Sequence, residues 1–264
     1  MNLASARVVL RPRSQGELLD LAALWCFTAD RRLYGALAAA VLGPSLALCV
    51  ALRWLGGWGW SEVWALAVAL ACVTQGVFTV ATSMAMFERG VSARAVLRAY
   101  LRRLPAYVGA LVITRAILAI AALSVVLTPA AWARVAFVHE AALLEGSAPI
   151  DAGQRAWRLG RDRGVAVMLL LGGMALAAAV GVIAAELIGH GIVEFVLQLG
   201  RPLGSLFEDG GSLYALIGFH AAIPYLAVAR FFGYVDERTR GDGWDIQLRF
   251  MALAADARTP EGTT

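Results

Sequence analysis

Long apolar runs alternate with short arginine-rich segments along the chain. Five of these runs are long enough to cross a bilayer, which takes about 20 mostly apolar residues. They cover 33–54, 63–87, 105–127, 165–188 and 212–233. A sixth run, 129–144, is shorter and contains Arg134, His139 and Glu140. The pattern predicts an all-α polytopic transmembrane helix bundle, organised as one integral membrane domain over 1–264.

The region 105–144 has two interpretations. As one straight helix it would be roughly 60 Å long at about 1.5 Å per residue, which is twice the hydrocarbon thickness. Two antiparallel spans with a tight turn near Thr128 and Pro129 fit this length better and bring the total to about six spans. The alternative is a single kinked helix that leaves the membrane.

The placement of arginine favours six spans. The chain contains 23 basic residues, and all of them are arginine. With six spans, eighteen of these arginines fall on one side of the membrane, in 1–32, 88–104, 145–164 and 234–264. The opposite loops hold two arginines. Because cytoplasmic loops carry an excess of basic residues, we expect both termini in the cytoplasm.

The arginine-rich segments have the pattern of amphipathic helices. Segment 14–32 begins with the Ser-x-x-Glu spacing of a capping box, which predicts an interfacial helix. Segments 92–104 and 145–164 place arginines along one helix face. These arginines form a candidate headgroup or partner surface: Arg94, Arg98, Arg102, Arg155, Arg158 and Arg161. Such helices lie at membrane interfaces and attract anionic lipid headgroups, but they also serve simply to hold the bundle upright.

Ionisable residues inside the predicted spans are costly to bury and are often functional. They form a candidate intramembrane polar cluster: Arg115, Arg134, His139, Glu140, Glu186, His220 and Arg230. We expect ion pairs between helices, with Arg115 paired to Glu140 or Glu186. A polar cavity for a substrate, ion or lipid headgroup, or snorkelling to the interface, are the alternatives.

The fifth span has small residues at every fourth position, and this spacing lets another helix approach closely. The stripe consists of Gly173, Ala177, Gly181, Ala185 and Gly189. It predicts close helix packing, either inside the bundle or between subunits.

The sequence contains no catalytic, cofactor or metal motif. The stretch at 139–143 lacks the second histidine of the His-Glu-x-x-His zinc site, because Leu143 occupies that position. The three cysteines, Cys26, Cys49 and Cys72, match no metal spacing. The net charge of +4 follows from the one-sided arginines and does not indicate nucleic-acid binding. We therefore expect a protein that is not an enzyme.

Three blocks of sequence carry a resemblance to a known family. They are LRPRSQGELLDLAALW at 10–25, LLEGSAPIDAGQRAWRLGRDRG at 143–164 and AIPYLAVARFFGYVDERTRGDGWDIQLRF at 222–250. Together they resemble a bacterial membrane family of no established activity, related to the membrane domain that accompanies some glycerophosphoryl diester phosphodiesterases. The residues that match this pattern include Arg11, Pro12, Glu17, Asp20, Glu145, Gly146, Pro149, Trp157, Pro224, Asp236, Arg238 and Asp245. Position 156 departs from it, with alanine where serine is usual.

The resemblance implies an all-α protein of about six spans in the inner membrane of a bacterium. The phosphodiesterase reaction belongs to a separate soluble barrel and is not implied here. Our leading hypothesis is a scaffold, an accessory subunit of a membrane assembly, or a lipid-interacting protein. Its partners would be anionic lipids, other membrane subunits or further copies of the chain. The alternative is a small-solute or lipid transporter that uses the intramembrane charges.

Overall fold

The fold is a bundle of α-helices, as the sequence predicts. A computed structural model describes residues 7–8, 11–124, 126–161 and 163–241. Five helical segments within it are long and apolar enough to cross a membrane. They are Arg31–Trp54, Trp60–Ala85, Ala93–Ala121, Gly164–Val196 and Leu213–Gly241. The described residues are almost entirely helical, which confirms the all-α prediction.

The helices follow one another with short connections. In chain order they are α1 (Gln15–Leu24), α2 (Arg31–Leu37), α3 (Gly43–Trp54), α4 (Trp60–Ala85), α5 (Ala93–Ala121), α6 (Leu127–Val135), α7 (Val138–Glu145), α8 (Pro149–Leu159), α9 (Gly164–His190) and α10 (Leu213–Gly241). Three π-helical segments continue α1, α2 and α9: Trp25–Ala29, Ala38–Leu42 and Gly191–Val196. A small antiparallel pair of strands, β1 (Gly204–Ser205) and β2 (Gly211–Ser212), precedes α10.

Helix α1 begins at the predicted capping box. The Glu17 backbone N–H donates to the Ser14 hydroxyl, and the Ser14 N–H donates to the Glu17 carboxylate at 2.9 Å. The Ser14 amide, followed by the nearby Arg11 guanidinium, lowers the pKa of Glu17 from its ordinary value. Leu18 and Ala22, one turn apart, are buried against the bundle. A helix is therefore present at Gln15–Leu24, within the segment 14–32, and its interfacial position stays a prediction.

The prediction of one continuous span at 129–144 is wrong. Two short helices, α6 and α7, occupy this region, and the non-helical backbone of Phe137 separates them. The return path itself was predicted correctly, because Thr128 Oγ1 donates to the Ala121 carbonyl at 2.9 Å and Arg103 donates to the Leu143 carbonyl. This segment therefore runs back beside α5, and the single kinked helix is excluded.

Burial explains why this return segment is broken. Interrupted backbone is tolerated at membrane depth only where protein covers it. Every residue of α7 from Val138 to Leu143 is buried. Helix α7 packs inside the bundle against α4, α5 and α8, whereas α6 keeps exposed side chains such as Trp132.

The basic segment 92–104 is the first part of a long helix and not a separate interfacial helix. Helix α5 begins at its N-cap Ser92 and continues through Pro105, where the sequence placed the start of a span. Val96 and Tyr100 are buried, whereas the three arginines of the opposite face, Arg94, Arg98 and Arg102, are exposed. The predicted amphipathic division of this segment is confirmed.

The stripe of small residues on α9 packs inside the bundle. An added Cβ at Gly218 of α10 would lie 2.7 Å from the Ala185 Cβ and 3.0 Å from the Gly181 carbonyl oxygen. A Cβ at Gly189 would overlap the ring of Tyr214. These distances confirm that small side chains on both helices permit the close approach of α9 and α10.

The two ends of the described chain meet at one end of the bundle. The backbone N–H of Arg13 donates to Asp236 Oδ1 at 2.8 Å, and Arg240 Nη2 donates to the Arg13 carbonyl at 2.7 Å. Arg13 precedes the first helix and Arg240 lies at the end of the last one. The segment before α1 and the end of α10 therefore lie on the same side of the helix bundle.

Candidate intramembrane site

A buried ion pair lies at the centre of the candidate site. Glu140 of α7 is completely buried, and its Oε1 accepts a hydrogen bond from Arg230 Nε of α10 at 2.6 Å. The side chain of Arg230 is 11% exposed. The predicted pairing of Glu140 with Arg115 is therefore wrong. The Arg230 side chain reaches Glu140 from α10, whereas the Arg115 guanidinium donates to Cys72 Sγ.

Aromatic and sulfur-containing groups surround the ion pair. The ring of Tyr107 packs edge-on against His139 at 5.6 Å between centroids, and its hydroxyl donates to the Cys72 carbonyl at 2.6 Å. His139 is buried next to Glu140 in the chain. Sequence reasoning identified His139 but missed Tyr107 and Cys72, because neither carries a charge.

Arg115 points toward the middle of the bundle. Its Nη2 donates to Cys72 Sγ at 2.8 Å, and Cys72 is near the midpoint of α4. A snorkelling arginine would extend toward a helix end, so this direction argues against snorkelling. Arg115 is exposed on the side of the bundle and forms no ion pair with an acidic residue in the described part of the chain.

These groups line a cavity of about 290 Å³. Its polar lining consists of Arg115, Arg230, His139, Gln75 and Cys72 together with Thr114. The remaining lining is apolar, and Val68 and Trp132, both exposed, lie at its rim. The cavity therefore opens sideways, on the lateral surface of the bundle.

Three buried polar atoms at this site have no hydrogen-bond partner among the described residues. They are His139 Nδ1, Glu140 Oε2 and Arg230 Nη2. Buried polar groups are nearly always satisfied, so such a group calls for an explanation. Two guanidinium groups and one carboxylate also leave a net single positive charge. Among these atoms Arg230 Nη2 is a donor that needs an acceptor, and an anionic group supplies one; Glu140 Oε2 is itself an acceptor and needs a donor.

The other members of the predicted polar cluster lie elsewhere. Glu186 accepts from the Leu206 N–H at 2.7 Å and also contacts Ser212 and His190, so it anchors the small sheet.

His220 contacts Ser45 at 3.1 Å. The guanidinium of Arg134 lies 4.9 Å from the ring centroid of Trp157. The predicted cluster is thus divided, and Arg115, His139, Glu140 and Arg230 form the site. The predicted pairing of Arg115 with Glu186 is also wrong.

The three sequence blocks meet at the end of the bundle that holds both chain ends. Glu145 of the second block contacts Arg238 of the third block at 3.3 Å and accepts from the Tyr234 hydroxyl. Asp236 joins the third block to the first through Arg13. Other members of the pattern have local roles at helix ends: Gly146 ends α7 in the left-handed conformation, and Pro149 begins α8.

The remaining predicted residues are placed as follows. Asp20 and Pro12 are exposed, Arg11 pairs with Glu17 at 2.8 Å, and α10 continues as one helix through Pro224. Asp245 lies outside the described residues.

On α8, Arg158 is exposed, whereas Arg155 contacts Glu145 at 3.4 Å. Arg161, just beyond α8, is exposed as well.

Comparisons with known proteins leave the family open. Within the described residues there is no group of three or more His, Cys, Asp or Glu side chains arranged to hold a metal ion. No protein-family model, curated protein or solved structure matches the chain. The likeness to the bacterial membrane family therefore stays a prediction made from the sequence blocks.

Proposed function

We propose that this protein is a non-enzymatic membrane protein that binds a single-chain amphiphile with one carboxylate, such as a long-chain fatty acid. The observation that carries the proposal is the cavity in which Arg115, Arg230 and His139 face walls that are mostly apolar. The carboxylate would lie between the guanidinium groups, and the apolar chain would leave past Val68 and Trp132 into the lipid.

Charge and size support this choice of ligand. An exposed arginine directed to the middle of a membrane carries a substantial free-energy cost unless an anion accompanies it. A monoanion matches the one excess positive charge of the site, and guanidinium groups bind carboxylates through paired hydrogen bonds. The cavity of about 290 Å³ fits a head and the start of a chain, with the rest in the bilayer.

We further propose the inner membrane of a bacterium as the location, with both termini in the cytoplasm. The one-sided distribution of arginine supports this orientation. The contact between Arg13 and Asp236 is in agreement with it, because it holds the segment before α1 and the end of α10 on one side. We also propose a scaffold or accessory role, either beside other membrane subunits or in a homo-oligomer. A ligand-binding protein that has no catalytic motif fits this role.

Equilibrium binding of a radiolabelled long-chain fatty acid to the purified protein in mild detergent tests the proposal. A charge-assisted hydrogen bond is worth about 1.5–3 kcal/mol, so Arg115→Gln should weaken binding by roughly 10- to 100-fold. Arg134→Gln is the matched control, because it removes an arginine that stacks on Trp157 outside the cavity. Equal affinities of wild type and Arg115→Gln would show that the cavity does not bind this class of ligand.

Transport is the second candidate function, and one observation favours it. A further cavity of about 400 Å³, lined by Tyr234, Arg238 and Arg103, lies one helical turn along α10 from Arg230 toward the chain ends. Alternating exposure of the two cavities would move a ligand across the membrane. Net uptake by proteoliposomes that contain the wild-type protein would favour transport, whereas binding without uptake would favour the first proposal.

A further inference from the structure

A long apolar groove runs along the amphipathic helix α8. It has a volume of about 550 Å³ and lies between α5, the α6–α7 segment and α8. Ile113 and Ile117 of α5 form one wall, and Ile150 and Trp157 of α8 form the other. Both α8 side chains are exposed. The exposed apolar face of α8 therefore extends the groove onto the surface of the bundle.

A basic pocket adjoins this groove. It has a volume of about 400 Å³ and is lined by the C-terminal end of α10, the C-terminal part of α8 and Arg163, the N-cap of α9. Four arginines and one glutamate supply its charge: Arg155, Arg158, Arg163, Arg240 and Glu237. Arg158 lines both the groove and the pocket. One side chain thus lies at the junction of an apolar surface and a strongly basic one.

The arginines of the pocket differ in their partners. Arg163 contacts Glu237 at 3.1 Å and Asp236 at 3.4 Å, and Arg240 contacts Asp236 at 2.8 Å. Arg158 is exposed and has no hydrogen bond or ion pair in the described part of the chain. The acidic residues hold Arg163 and Arg240 in place and leave Arg158 available to an external anion.

We infer that one anionic phospholipid occupies the groove and the pocket together. Its phosphate binds Arg158, with Arg163 and Arg240 beside it, and one acyl chain lies along the groove between α5 and α8. A phosphate carries several acceptor oxygens for arginine donors, and the groove offers an acyl chain the apolar surface that it requires. A soluble phosphate compound would use the pocket and leave the groove empty.

This site is separate from the cavity of Arg115. Thr114 and Val135 line both spaces and form the wall between them. The cavity holds the guanidinium groups of Arg115 and Arg230, whereas the groove leads to Arg158. Fatty-acid binding at Arg115 and phospholipid binding at Arg158 can therefore fail independently.

Native mass spectrometry of the purified protein with added phosphatidylglycerol tests the inference. We expect wild type to retain one phosphatidylglycerol and Arg158→Gln to bind it at least 10-fold more weakly. Arg161→Gln is the matched control, because Arg161 is also exposed but lines neither the groove nor the pocket. Binding that is equally strong in Arg158→Gln and wild type would overturn the inference.

Two further measurements distinguish the parts of the site. Gly153 lines the groove, and a Cβ placed there meets no atom within 4 Å, so Gly153→Phe should fill the groove and prevent phospholipid binding without loss of thermal stability. Phosphatidylcholine should bind more weakly than phosphatidylglycerol, and millimolar glycerol 3-phosphate should not displace the lipid. Displacement by glycerol 3-phosphate, or undiminished binding to Gly153→Phe, would contradict a phospholipid in the groove.

Discussion

The side chains of the candidate site show how a membrane interior tolerates ionised groups. Glu140 and Arg230 are stable together because each removes the uncompensated charge of the other. Arg115 has a thiol as its neighbour, and a thiol is a weak acceptor that cannot neutralise it. The Glu140–Arg230 pair is therefore structural, whereas the Arg115 guanidinium is available to a ligand.

The Glu140–Arg230 pair leads to an asymmetric prediction. Glu140→Gln leaves a buried guanidinium that cannot lose its proton, and breaking a buried pair in this way costs about 3–5 kcal/mol. Arg230→Gln should cost less, because the remaining carboxyl group can take up a proton. Thermal unfolding in detergent should give the lowest midpoint for Glu140→Gln, and the double variant Glu140→Gln, Arg230→Gln should recover most of the loss. A double variant as unstable as the sum of the two single variants would show that the pair contributes nothing.

At the scale of helices, periodic patterns were predictable and broken ones were not. The Ser14 capping box and the small-residue stripe on α9 act locally, so their spacing in the sequence was sufficient to identify them. The break at Phe137 depends on burial against α4, α5 and α8, which no local pattern records. The boundary of α5 was misplaced for a related reason: its basic first turns and Pro105 resemble a separate segment, although they belong to one helix.

For the candidate site, too, the sequence shows which residues are charged but not which helices are neighbours. The sequence identified Arg115, Glu140 and Arg230 as intramembrane charges, because charge inside an apolar run is visible without a structure. It did not identify the correct partner, since pairing depends on which helices are neighbours. Tyr107 and Cys72 were not identified at all, because uncharged residues are common in spans.

The close contact of α9 and α10 can be tested at Gly218. An added methyl group there meets the backbone carbonyl of Gly181 at 3.0 Å, and backbone cannot easily move away. Gly218→Ala should therefore lower the thermal unfolding midpoint. Gly172→Ala is the matched control, because a Cβ at Gly172 in α9 meets no atom within 4 Å. Since alanine is favoured over glycine in a helix by about 1 kcal/mol, the control variant should be as stable as wild type or more stable. A stable Gly218→Ala protein would contradict the packing.

For the whole molecule, the number of membrane crossings depends on the path of the chain and not only on the number of long helices. Five described helical segments are long enough to cross a membrane, yet Arg13 before α1 and Asp236 near the end of α10 lie on one side. Helices α6 and α7 account for the difference, since they return the chain along α5 within the protein. The even number of crossings that the arginines indicate is thus compatible with five long helices.

Single cysteines test this path in intact cells. Leu123 lies in the connection between α5 and α6 and is 89% exposed, so Leu123→Cys should react with a membrane-impermeant maleimide added outside the inner membrane. Glu88→Cys, in the connection between α4 and α5, should react only after the membrane is opened. The wild-type chain, with its own three cysteines, gives the background. Labelling of both positions from the same side would contradict the proposed orientation and return path.

The most direct test of the account is an experimental structure in lipid nanodiscs with a brominated long-chain fatty acid. We expect density for the carboxylate within hydrogen-bond distance of Arg115 and Arg230, next to His139, and for the brominated chain between Val68 and Trp132. A structure in which the cavity contains no fatty acid, and Arg115 turns away to a helix end or to an acidic residue, would contradict it.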